Sequence, residues 1–476
     1  MDYEPVIGLE IHCRINTKTK MFCRCSNDIF NESPNTHVCP ICMGFPGMLP
    51  LINEEAVKKA IKGALAIGCD IPEFSKMDRK SYFYPDLPKG YQISQYDLPI
   101  SQKGKVTIAL SDGKTKHIGV TRLHIEDDAG KLTHTDSSTL VDYNRSGTPL
   151  MEIVSEPEIN SVEEASAYAR QLQKIMRYVD ASDADMEKGQ MRFDINVSVR
   201  PKGEKKLGTK SEVKNLNSFR SLEKAIAYEI KRHTEVLSGG GKITQETRGW
   251  DDEKEITVSQ RSKEGAADYR YFPEPDIPPI LVTKKMIDEI KKEIPELPEK
   301  KAARYMSELG LSELDARQLA EDFSLAAYFE KAVEVSGHPK KTANWLLSEL
   351  MATLNKNNLT VTDSKLSPKN LGKLVKLIED GAITGKIAKE IFPEIYEGDM
   401  DPEKFVEAKG LKVMGDTGEL EKICHDVINR NPQTVADFKG GKEKAFGGLV
   451  GQVMAATKGT ANPKMVNEIL RKLISL

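Results

Sequence analysis

The stretch that decides the fold is Val6-Ile7-Gly8-Leu9-Glu10-Ile11-His12-Cys13-Arg14-Ile15. Side chains of a β-strand point alternately to its two faces, so the apolar residues of this stretch share one face. Glu10, His12 and Arg14 line the other face. A carboxylate and an imidazole on the same side of a strand, backed by an apolar core face, predict a site for a divalent metal ion.

Four further segments repeat this pattern, each with an acidic residue on its polar face. They are Thr121–Glu126, Leu150–Val154, Arg192–Arg200 and Lys210–Lys214. Their notable polar positions are Arg122, His124, Glu126, Glu152, Asp194, Asn196, Lys210, Glu212 and Lys214. For a single strand, a solvated face is the simpler interpretation. For all the strands together, the pattern favours an antiparallel sheet whose polar face holds a metal ion and an anionic substrate.

Amphipathic helices are predicted to cover the apolar back of this sheet. The capping box Ser161-Val162-Glu163-Glu164 opens a helix that runs to about Val179, and a second helix spans Phe219 to Leu237. The Gly239-Gly240-Gly241 turn lacks the spacing of a phosphate-binding loop, and no dinucleotide fingerprint is present. We therefore expect any ATP to bind without a glycine-rich loop.

Two closely spaced cysteine pairs, Cys23-x-Cys25 and Cys39-x-x-Cys42, predict a metal knuckle over residues 23–42. In a reducing compartment such pairs hold zinc more often than they form disulfides. We expect a structural, tetrahedral site made of thiolates alone. Reduced thiols in a loop are the alternative interpretation.

The segment Asp78–Gln95 is dense in aromatic, basic and amide side chains and contains Pro85 and Pro88. Such a loop is able to stack a nucleobase or grip phosphates. Aromatic residues are more often part of a core, so composition alone leaves both interpretations open.

The second half of the chain is predicted to be helical. From about Pro295 the strand patterns end, and helices follow one another over 298–309, 312–335, 339–354 and 367–380, with domain boundaries near 295 and 405. Residues 438–476 hold seven Lys or Arg against two Glu, and Gly440, Gly441, Gly447, Gly448 and Gly459 lie among them. This composition fits a small helical module that faces phosphates, although a solvated basic tail has the same composition.

Length and composition limit the possible classes of protein. A chain of 476 residues is long enough for two or three domains, and a net charge of −3 requires any nucleic-acid partner to meet a local patch. No apolar run approaches the roughly 18 residues that a membrane helix needs, and the N-terminal MDYEPVIGLE has no features of a signal peptide. We expect a cytoplasmic protein without a membrane partner.

Several long stretches resemble one known family, the GatB subunits of the tRNA-dependent amidotransferase GatCAB, and the resemblance covers the whole chain. The archaeal relative GatE carries a large inserted domain for which 476 residues leave no space, so the resemblance favours GatB. The matching stretches are VIGLEIHCRI, DRKSYFYPDLPKGYQISQ, RLHIEDDAGK, VDYNRSGTPLMEIVSEP, RFDINVSVR, TKSEVKNLNSF, DYRYFPEPD and GLVGQVMAATKGTANP.

The resemblance implies an α+β fold in three parts. Residues 1–294 would form a glutamine-synthetase-like antiparallel sheet domain, with helices on one face and the zinc knuckle, that carries the kinase and transamidase chemistry. Residues 295–405 would form an all-helical domain, and residues 406–476 a small YqeY-like helical tail that binds tRNA. Some family members lack the four cysteines, which supports a structural role for the zinc.

The resemblance also implies a reaction, cofactors and partners. ATP would phosphorylate the side-chain carboxylate of a misacylated Glu-tRNA(Gln) or Asp-tRNA(Asn). Ammonia released from glutamine by the A subunit would then displace phosphate, giving Gln-tRNA(Gln) or Asn-tRNA(Asn). The chain would work in a heterotrimer with this A subunit, which is a glutaminase, and with the C subunit. Mg²⁺ would be the cofactor, and Mn²⁺ is a possible substitute because a histidine is among the expected ligands.

The same resemblance assigns roles to residues of this sequence. Glu10, His12, Glu126 and Glu152 are the expected catalytic Mg²⁺ ligands. Asp194, Asn196, Lys210 and Glu212 are expected to contact nucleotide or metal, and Lys80, Tyr82 and Tyr84 to lie at the aminoacyl end. Two alternative functions stay open from the residues alone: a non-catalytic, zinc-stabilised tRNA adaptor, and an amide ligase that acts on a small carboxylic acid without tRNA.

Overall fold

The computed structural model describes residues 2–262, 269–411, 417–457, 461 and 463–475. Asp268, Gly459 and Asn462, which belong to stretches discussed above, lie outside the described residues. The chain divides into two compact units, Met1–Leu297 and Pro298–Leu476. The predicted division into three domains stays a prediction.

The first unit is built around a large sheet. The strands are β1 Tyr3–Arg14, β2 Phe74–Ser75, β3 Asp78–Ser81, β4 Tyr91–Ser94, β5 Ser101–Ala109, β6 Thr115–Asp127, β7 Lys131–His134, β8 Thr139–Asp142, β9 Pro149–Ser155, β10 Met191–Pro201, β11 Ser211–Leu216, β12 Glu246–Asp251, β13 Ile256–Ser262, β14 Phe272–Pro273 and β15 Ile280–Leu281.

The large sheet has eight strands in the order β13-β12-β11-β10-β1-β9-β6-β5. The opening strand β1 lies near its middle, paired antiparallel with β10 on one side and β9 on the other. The predicted antiparallel arrangement is confirmed for most pairs, but β11 and β12 run parallel. A helix connects these two strands, and such a crossover is what joins parallel neighbours. Strands β12 and β13 were not predicted.

Alternation along β1 explains why one face of the sheet is buried. Ile7, Leu9 and Ile11 are fully buried, and they belong to a core that includes α1, α2 and α3. Helix α2 contacts β1 and β5, and α3 contacts β10 and β11. The helices of this unit are α1 Glu54–Ala66, α2 Val162–Tyr178, α3 Phe219–Ser238 and α4 Lys284–Glu293.

Side-chain caps fix where these helices begin. Ser161 Oγ accepts a hydrogen bond from Glu164 N at 3.1 Å, as the predicted capping box requires. Glu164, however, accepts from the backbone N–H of Asn160 instead of that of Ser161, so only half of the box is formed. Ser218 caps α3 in the same way through Ser221 N, at 2.9 Å.

The prolines of the segment Asp78–Gln95 suggested a simple loop, but the segment contains two strands. Its two ends form β3 and β4, which pair with each other, and β3 also pairs with β14 to complete a three-stranded sheet. Lys80 therefore lies on a strand, and Tyr82 and Tyr84 lie in the connection. Separate two-stranded pairs are formed by β15 with β2 and by β7 with β8.

Within the described part of the second unit, the chain is helical, as predicted. Its helices are α5 Pro298–Ser307, α6 Glu313–Leu319, α7 Phe323–Ser336, α8 Pro339–Trp345, α9 Met351–Lys356, α10 Pro368–Glu379, α11 Gly385–Gly398, α12 Pro402–Ala408, α13 Thr417–Arg430, α14 Pro432–Lys439, α15 Glu443–Ala456 and α16 Pro463–Ser475. A π-helical turn, Leu346–Leu350, joins α8 to α9.

Two hydrophobic clusters lie in this unit, one over Ala302–Val406 and one over Leu420–Ile474. The single helix predicted over 312–335 is wrong. The chain breaks between α6 and α7 because Asp322 Oδ1 accepts a hydrogen bond from Leu325 N, at 2.8 Å, and so begins a new helix.

No helix among the described residues is both long enough and apolar enough to cross a membrane.

Candidate active site

One row of paired residues crosses four strands on the polar face of the large sheet. His12 of β1 lies opposite Arg192 of β10 and opposite Glu152 of β9. Glu152 in turn lies opposite His124 of β6. Directly paired residues point to the same face, so the register alone brings two imidazoles, a carboxylate and a guanidinium into one line.

Two members of this row, His12 and Glu152, form with Glu126 a compact group of potential metal ligands. One ligand atom from each lies within 4.8 Å of the others, and the group includes neither Glu10 nor any other described residue. His12 Nε2 lies 3.3 Å from Glu152 Oε2, and His124 Nε2 lies 3.5 Å from the same oxygen. His124 Nε2 also lies 3.7 Å from Glu126 Oε2.

The donor set fits a divalent cation. Glu126 and Glu152 are buried, and the second ring nitrogen of His12, Nδ1, is buried without a hydrogen-bond partner in the described part of the chain. Two carboxylates and one imidazole suit Mn²⁺ at least as well as Mg²⁺, because Mg²⁺ prefers oxygen ligands alone.

The pKa values of Glu152 and Glu10, two carboxylates of this face, shift in opposite directions. Burial acts to raise the pKa of Glu152, but the charge of His124 and the hydrogen bond from His12 outweigh it and hold that pKa well below its ordinary value. Burial raises the pKa of Glu10, and the negative charges of Glu152 and Asp194 raise it further. Glu152 is therefore held as an anion, whereas Glu10 takes up a proton more readily.

Glu10 lies beside the ligand group, in another row of the sheet. It pairs with Asp194 across β1 and β10, and its Oε1 accepts a hydrogen bond from Asn196 Nδ2 at 3.0 Å. Lys214 Nζ lies 3.3 Å from Asp194 Oδ2 and 3.3 Å from Glu212 Oε1. Glu10, Asp194, Asn196 and Glu212 thus form a carboxylate-rich area that Lys214 partly neutralises.

A β-bulge shapes this area. The register between β10 and β11 shifts between Phe193 and Ile195. Asn215 adopts a left-handed conformation there, with φ of 60°, and its N–H donates to Asp194 Oδ1 at 2.8 Å. Bulges are common near functional sites, and this one lies where Lys214 approaches Asp194.

Lys80 and Tyr82 lie against the same face, inside a cluster of tyrosines. Lys80 Nζ lies 5.1 Å from the ring centre of Tyr269 and 5.9 Å from that of Tyr82. Tyr271 stacks on Tyr96 at 4.5 Å and meets Tyr269 edge to face. Burial acts to lower the pKa of Lys80, but nearby negative charge, first that of Glu126, outweighs it and raises this pKa, so the ammonium is held near the ligand group.

Two predicted residues, Tyr84 and Lys210, are exposed, and their roles stay predictions. Tyr84 is 58% exposed. Lys210 is exposed and lies one residue before β11, so the predicted sharing of a strand face by Lys210, Glu212 and Lys214 is wrong for its first member.

Sequence reasoning assigned no site role to several residues that the fold brings to the site, although it placed His124 on the polar face. His124 shares a strand face with Glu126, and this alternation was a sufficient signal for including it. Arg192 pairs with Asp128 through two hydrogen bonds of 3.2 Å. Tyr269 and Tyr271 come from a segment distant in sequence, and nothing local in that segment indicates a contact with Lys80.

The cysteine pairs meet as predicted. The sulfur atoms of Cys23, Cys25, Cys39 and Cys42 lie within 4.8 Å of one another. Four thiolates around Zn²⁺, with Zn–S bonds of about 2.3 Å, would be separated by about 3.8 Å, so the group fits the ion. The hydrogen bond with Cys23 and the N–H of Cys39 outweigh burial and lower the pKa of Cys42 to about 5. None of the seven cysteines forms a disulfide.

The fold and site are those of an α+β protein whose sheet carries a carboxylate and imidazole centre of the kind that enzymes use to bind divalent cations. Residues 5–288 match the family described as the GatB/GatE catalytic domain, and residues 327–474 match the GatB domain of the YqeY type. The second match begins inside the segment predicted as a separate helical domain.

Full-length relatives point the same way. The aspartyl/glutamyl-tRNA(Asn/Gln) amidotransferase B subunit of Persephonella marina is 52% identical over 475 residues, covering 100% of both chains. The B subunit of Brevibacillus brevis is 50% identical over 475 residues, covering 99% of both. That of Thermoanaerobacter pseudethanolicus is 52% identical over 477 residues, covering 100% of both. The chain belongs to the family of aspartyl/glutamyl-tRNA amidotransferase B subunits, which favours the amidotransferase interpretation over an adaptor or a small-molecule ligase.

Proposed function

We propose that this chain is the B subunit of a tRNA-dependent amidotransferase, a ligase of translation. The names of its relatives support this function, and so does the match to the GatB/GatE catalytic domain. The substrates would be Glu-tRNA(Gln), Asp-tRNA(Asn) or both. The partners would be the A subunit, a glutaminase, and the C subunit, in a heterotrimer in the cytoplasm, where aminoacyl-tRNA is used.

The reaction has two balanced steps. A side-chain carboxylate oxygen of the aminoacyl group attacks the γ-phosphorus of ATP, and ADP leaves. The nitrogen of ammonia then attacks the carbonyl carbon of the acyl phosphate, inorganic phosphate leaves, and one proton is released from nitrogen. Activation is needed because a carboxylate is a poor electrophile, and phosphoryl transfer asks the protein mainly for positioning and charge neutralisation.

The observation that carries this proposal is the grouping of His12, Glu126 and Glu152 within 4.8 Å on the face of the sheet. These residues would hold Mg²⁺ or Mn²⁺, which, when bound, would neutralise charge on the ATP phosphates. Glu10, Asp194, Asn196 and Glu212 would border the metal and the nucleotide. Lys210, which is exposed just before β11, would lie at the rim of the site.

Cations of the chain itself would complete the neutralisation. Lys214 and Lys80 approach the carboxylates from opposite sides of β1 in the sheet order, since Lys214 is on β11 and Lys80 lies near Glu126 of β6. Tyr82, Tyr269 and Tyr271 surround Lys80 and would keep water from the acyl phosphate, which water would hydrolyse. Tyr84, being exposed, would meet the aminoacyl end from outside.

The remaining parts of the proposal concern whole segments. Residues 1–294 would be the catalytic domain with a glutamine-synthetase-like fold, which agrees with an antiparallel sheet bearing a carboxylate face. The knuckle at residues 23–42 would hold structural Zn²⁺. Residues 295–405 would form the helical domain, and residues 406–476 the YqeY-like domain that binds tRNA.

The test uses the complete heterotrimer with ATP, ammonium chloride in place of glutamine, and each misacylated tRNA. Glu126→Gln and Glu10→Ala should each lower the rates of ADP formation and tRNA amidation by about a hundredfold or more. Each change weakens the metal site, so the metal ion no longer neutralises the charge of the ATP phosphates. Ammonium bypasses the glutaminase, so failure under these conditions locates the defect at activation. Binding of tRNA should be unchanged.

Glu204→Gln is the matched control, since Glu204 is an exposed glutamate in the turn after β10. It should leave both rates unchanged. A Glu126→Gln enzyme that amidates at the wild-type rate would place the activation site elsewhere.

A further inference from the structure

Lys20 is a lysine with no exposed surface, close before the cysteine knuckle in the chain. Its ammonium group has three N–H donors and three acceptors within reach. Ser146 O lies at 2.7 Å, Tyr143 O at 3.4 Å and Cys42 Sγ at 3.8 Å. The hydrogen-bonding capacity of the ammonium is therefore satisfied inside the protein.

Hydrogen bonding does not by itself compensate the charge. A buried ammonium is costly unless an opposite charge lies nearby, and the carbonyls of Ser146 and Tyr143 are neutral. Among the described residues, no carboxylate forms an ion pair with Lys20. The sulfur of Cys42 is the one contacting atom that is able to carry a full negative charge.

Cys42 belongs to the four-cysteine group, and this group supplies that charge when metal is bound. Four thiolates around one Zn²⁺ leave an excess of two negative charges. We propose that Lys20 is the buried counter-cation of the metal-bound Cys23, Cys25, Cys39 and Cys42 cluster, and that it fastens the 143–148 turn to the knuckle. The proposal rests on metal binding by the knuckle and is independent of the chemistry proposed for the sheet face.

The 143–148 turn packs closely on the knuckle. Met21 N donates to Gly147 O at 2.8 Å. Gly147 has φ of +86°, and a Cβ added to it would lie 3.3 Å from Cys42 Cβ. A larger residue would be strained there, so the glycine permits the close approach that Lys20 bridges.

The same turn reaches the candidate active site. Arg145 Nε donates to Ala129 O at 2.9 Å and lies 3.5 Å from Asp128 Oδ2. Asp128 is the carboxylate that pairs with Arg192, opposite His12. Lys20 is therefore a positioning residue: it touches no reacting atom, but it holds the turn that holds Asp128.

This role predicts effects of different size in the two metal states. With Zn²⁺ bound, Lys20→Met removes the counter-cation of an anionic centre and should lower the midpoint temperature of unfolding, Tm. Without metal, the ammonium faces the single thiolate of Cys42 instead of a centre with two excess negative charges, so the same substitution should lower Tm less. A lysine that acts only through packing or its carbonyl hydrogen bonds would lower Tm by the same amount in both states.

The experiment uses the full chain, with Zn²⁺ as the probe. The Zn²⁺ dissociation constant, measured by competition with a chelator of known affinity, should rise about 10- to 100-fold in Lys20→Met, as for other residues that support metal ligands. Tm is measured with Zn²⁺ and after removal of the metal. Lys18→Met is the matched control, since Lys18 is exposed and two positions away, and it should change neither quantity.

An unchanged Zn²⁺ dissociation constant, or a Tm lowered equally in both states, would overturn the role of Lys20. Wild-type protein that binds no Zn²⁺ would overturn the metal site and that role together. If Lys20→Met does not fold, the pair Cys42→Ser and Cys42→Ser/Lys20→Met gives the answer. Once the thiolate is absent, the double variant should have the higher Tm, and a lower Tm would contradict the proposal.

Discussion

Glu229 of α3 shows how one carboxylate is stabilised away from the candidate active site. It is fully buried and accepts hydrogen bonds from Arg232 of α3 and Thr257 of β13. His233 Nε2 lies 3.2 Å from Glu229 Oε2, and Arg248 Nε of β12 lies 3.3 Å from Oε1. This network joins α3 to the edge strands β12 and β13, whose positions no local pattern predicts.

Removing the charge of Glu229 should destabilise the first unit. Burial acts to raise its pKa, but the hydrogen bonds from His233, Arg232 and Thr257 outweigh it and lower the pKa from 4.5 to about 2. Because the folded pKa is depressed, the carboxylate contributes stability that is present above pH 4.5 and lost as the pH falls towards 2. A shift of this size corresponds to about 3 kcal/mol in the free energy of unfolding.

Denaturant unfolding of Glu229→Gln and wild type, measured from pH 7 down to pH 2, checks this prediction. The difference in unfolding free energy should be near its maximum at pH 7 and should shrink as the pH falls below 4.5. Glu235→Gln is the control, since Glu235 lies on the same helix with its side chain 67% exposed. A difference that does not change with pH would show that the Glu229 charge contributes nothing.

For single residues, the sequence predicts well which face of a strand a side chain lies on. It predicts poorly which other side chains that residue contacts. Alternation places Glu10, His12, Glu126 and Glu152 on the polar face, because that depends only on strand geometry. It does not predict that Glu10 lies outside the compact ligand group. Nor does it predict the bulge next to Lys214 and Asp194, because a register shift depends on the neighbouring strand as much as on the strand itself.

Among the elements, α7 and α10 make an unusually close contact. A Cβ added to Gly372 of α10 would lie 2.5 Å from Ala332 O and 2.8 Å from Val335 Cβ, both on α7. Backbone atoms cannot move aside without shifting the helix. The glycine therefore sets the distance between the two helices.

Gly372→Ala should destabilise the second unit by about 1–3 kcal/mol, as overpacking of a core does. Gly385→Ala, at the start of α11, is the matched control, since a Cβ there would meet nothing within 4 Å. That change should leave stability unchanged or raise it slightly, because alanine favours a helix over glycine. Thermal unfolding of both variants tests the contrast, and an equal effect of the two substitutions would contradict it.

Element boundaries follow from local chemistry where a cap is visible and fail where two signals compete. Ser367 followed by Pro368 predicts the start of α10, and Ser367 Oγ does cap it. The apolar periodicity over 312–335 conceals the Asp322 cap that divides the segment. In Asp78–Gln95 the prolines suggested a loop, yet the two ends pair with each other as strands, and the first end also pairs with β14, which lies far along the chain.

The net charge of the whole chain is only −3, so a polyanionic partner needs a local basic surface. The basic tail, residues 438–476, is a candidate for that surface. Lys439, Lys442 and Lys444 are exposed around the start of α15. The helices α13 to α16 share a hydrophobic cluster, Leu420–Ile474, separate from the one over Ala302–Val406. The tail residues therefore have their own core on which to display these lysines.

Replacing Lys439, Lys442 and Lys444 together with Gln should weaken tRNA binding by the heterotrimer. Each phosphate contact that is lost should reduce the slope of log dissociation constant against log salt by about 0.7–0.9. The rate of ammonium-dependent amidation at saturating tRNA should change little, because the sheet face is untouched.

Replacing Lys285, Lys291 and Lys292 of α4 removes the same charge from another exposed surface and serves as the control. An equal loss of affinity in both triple variants would indicate a general charge effect, and an unchanged salt slope in the first would exclude the tail as a phosphate-binding module.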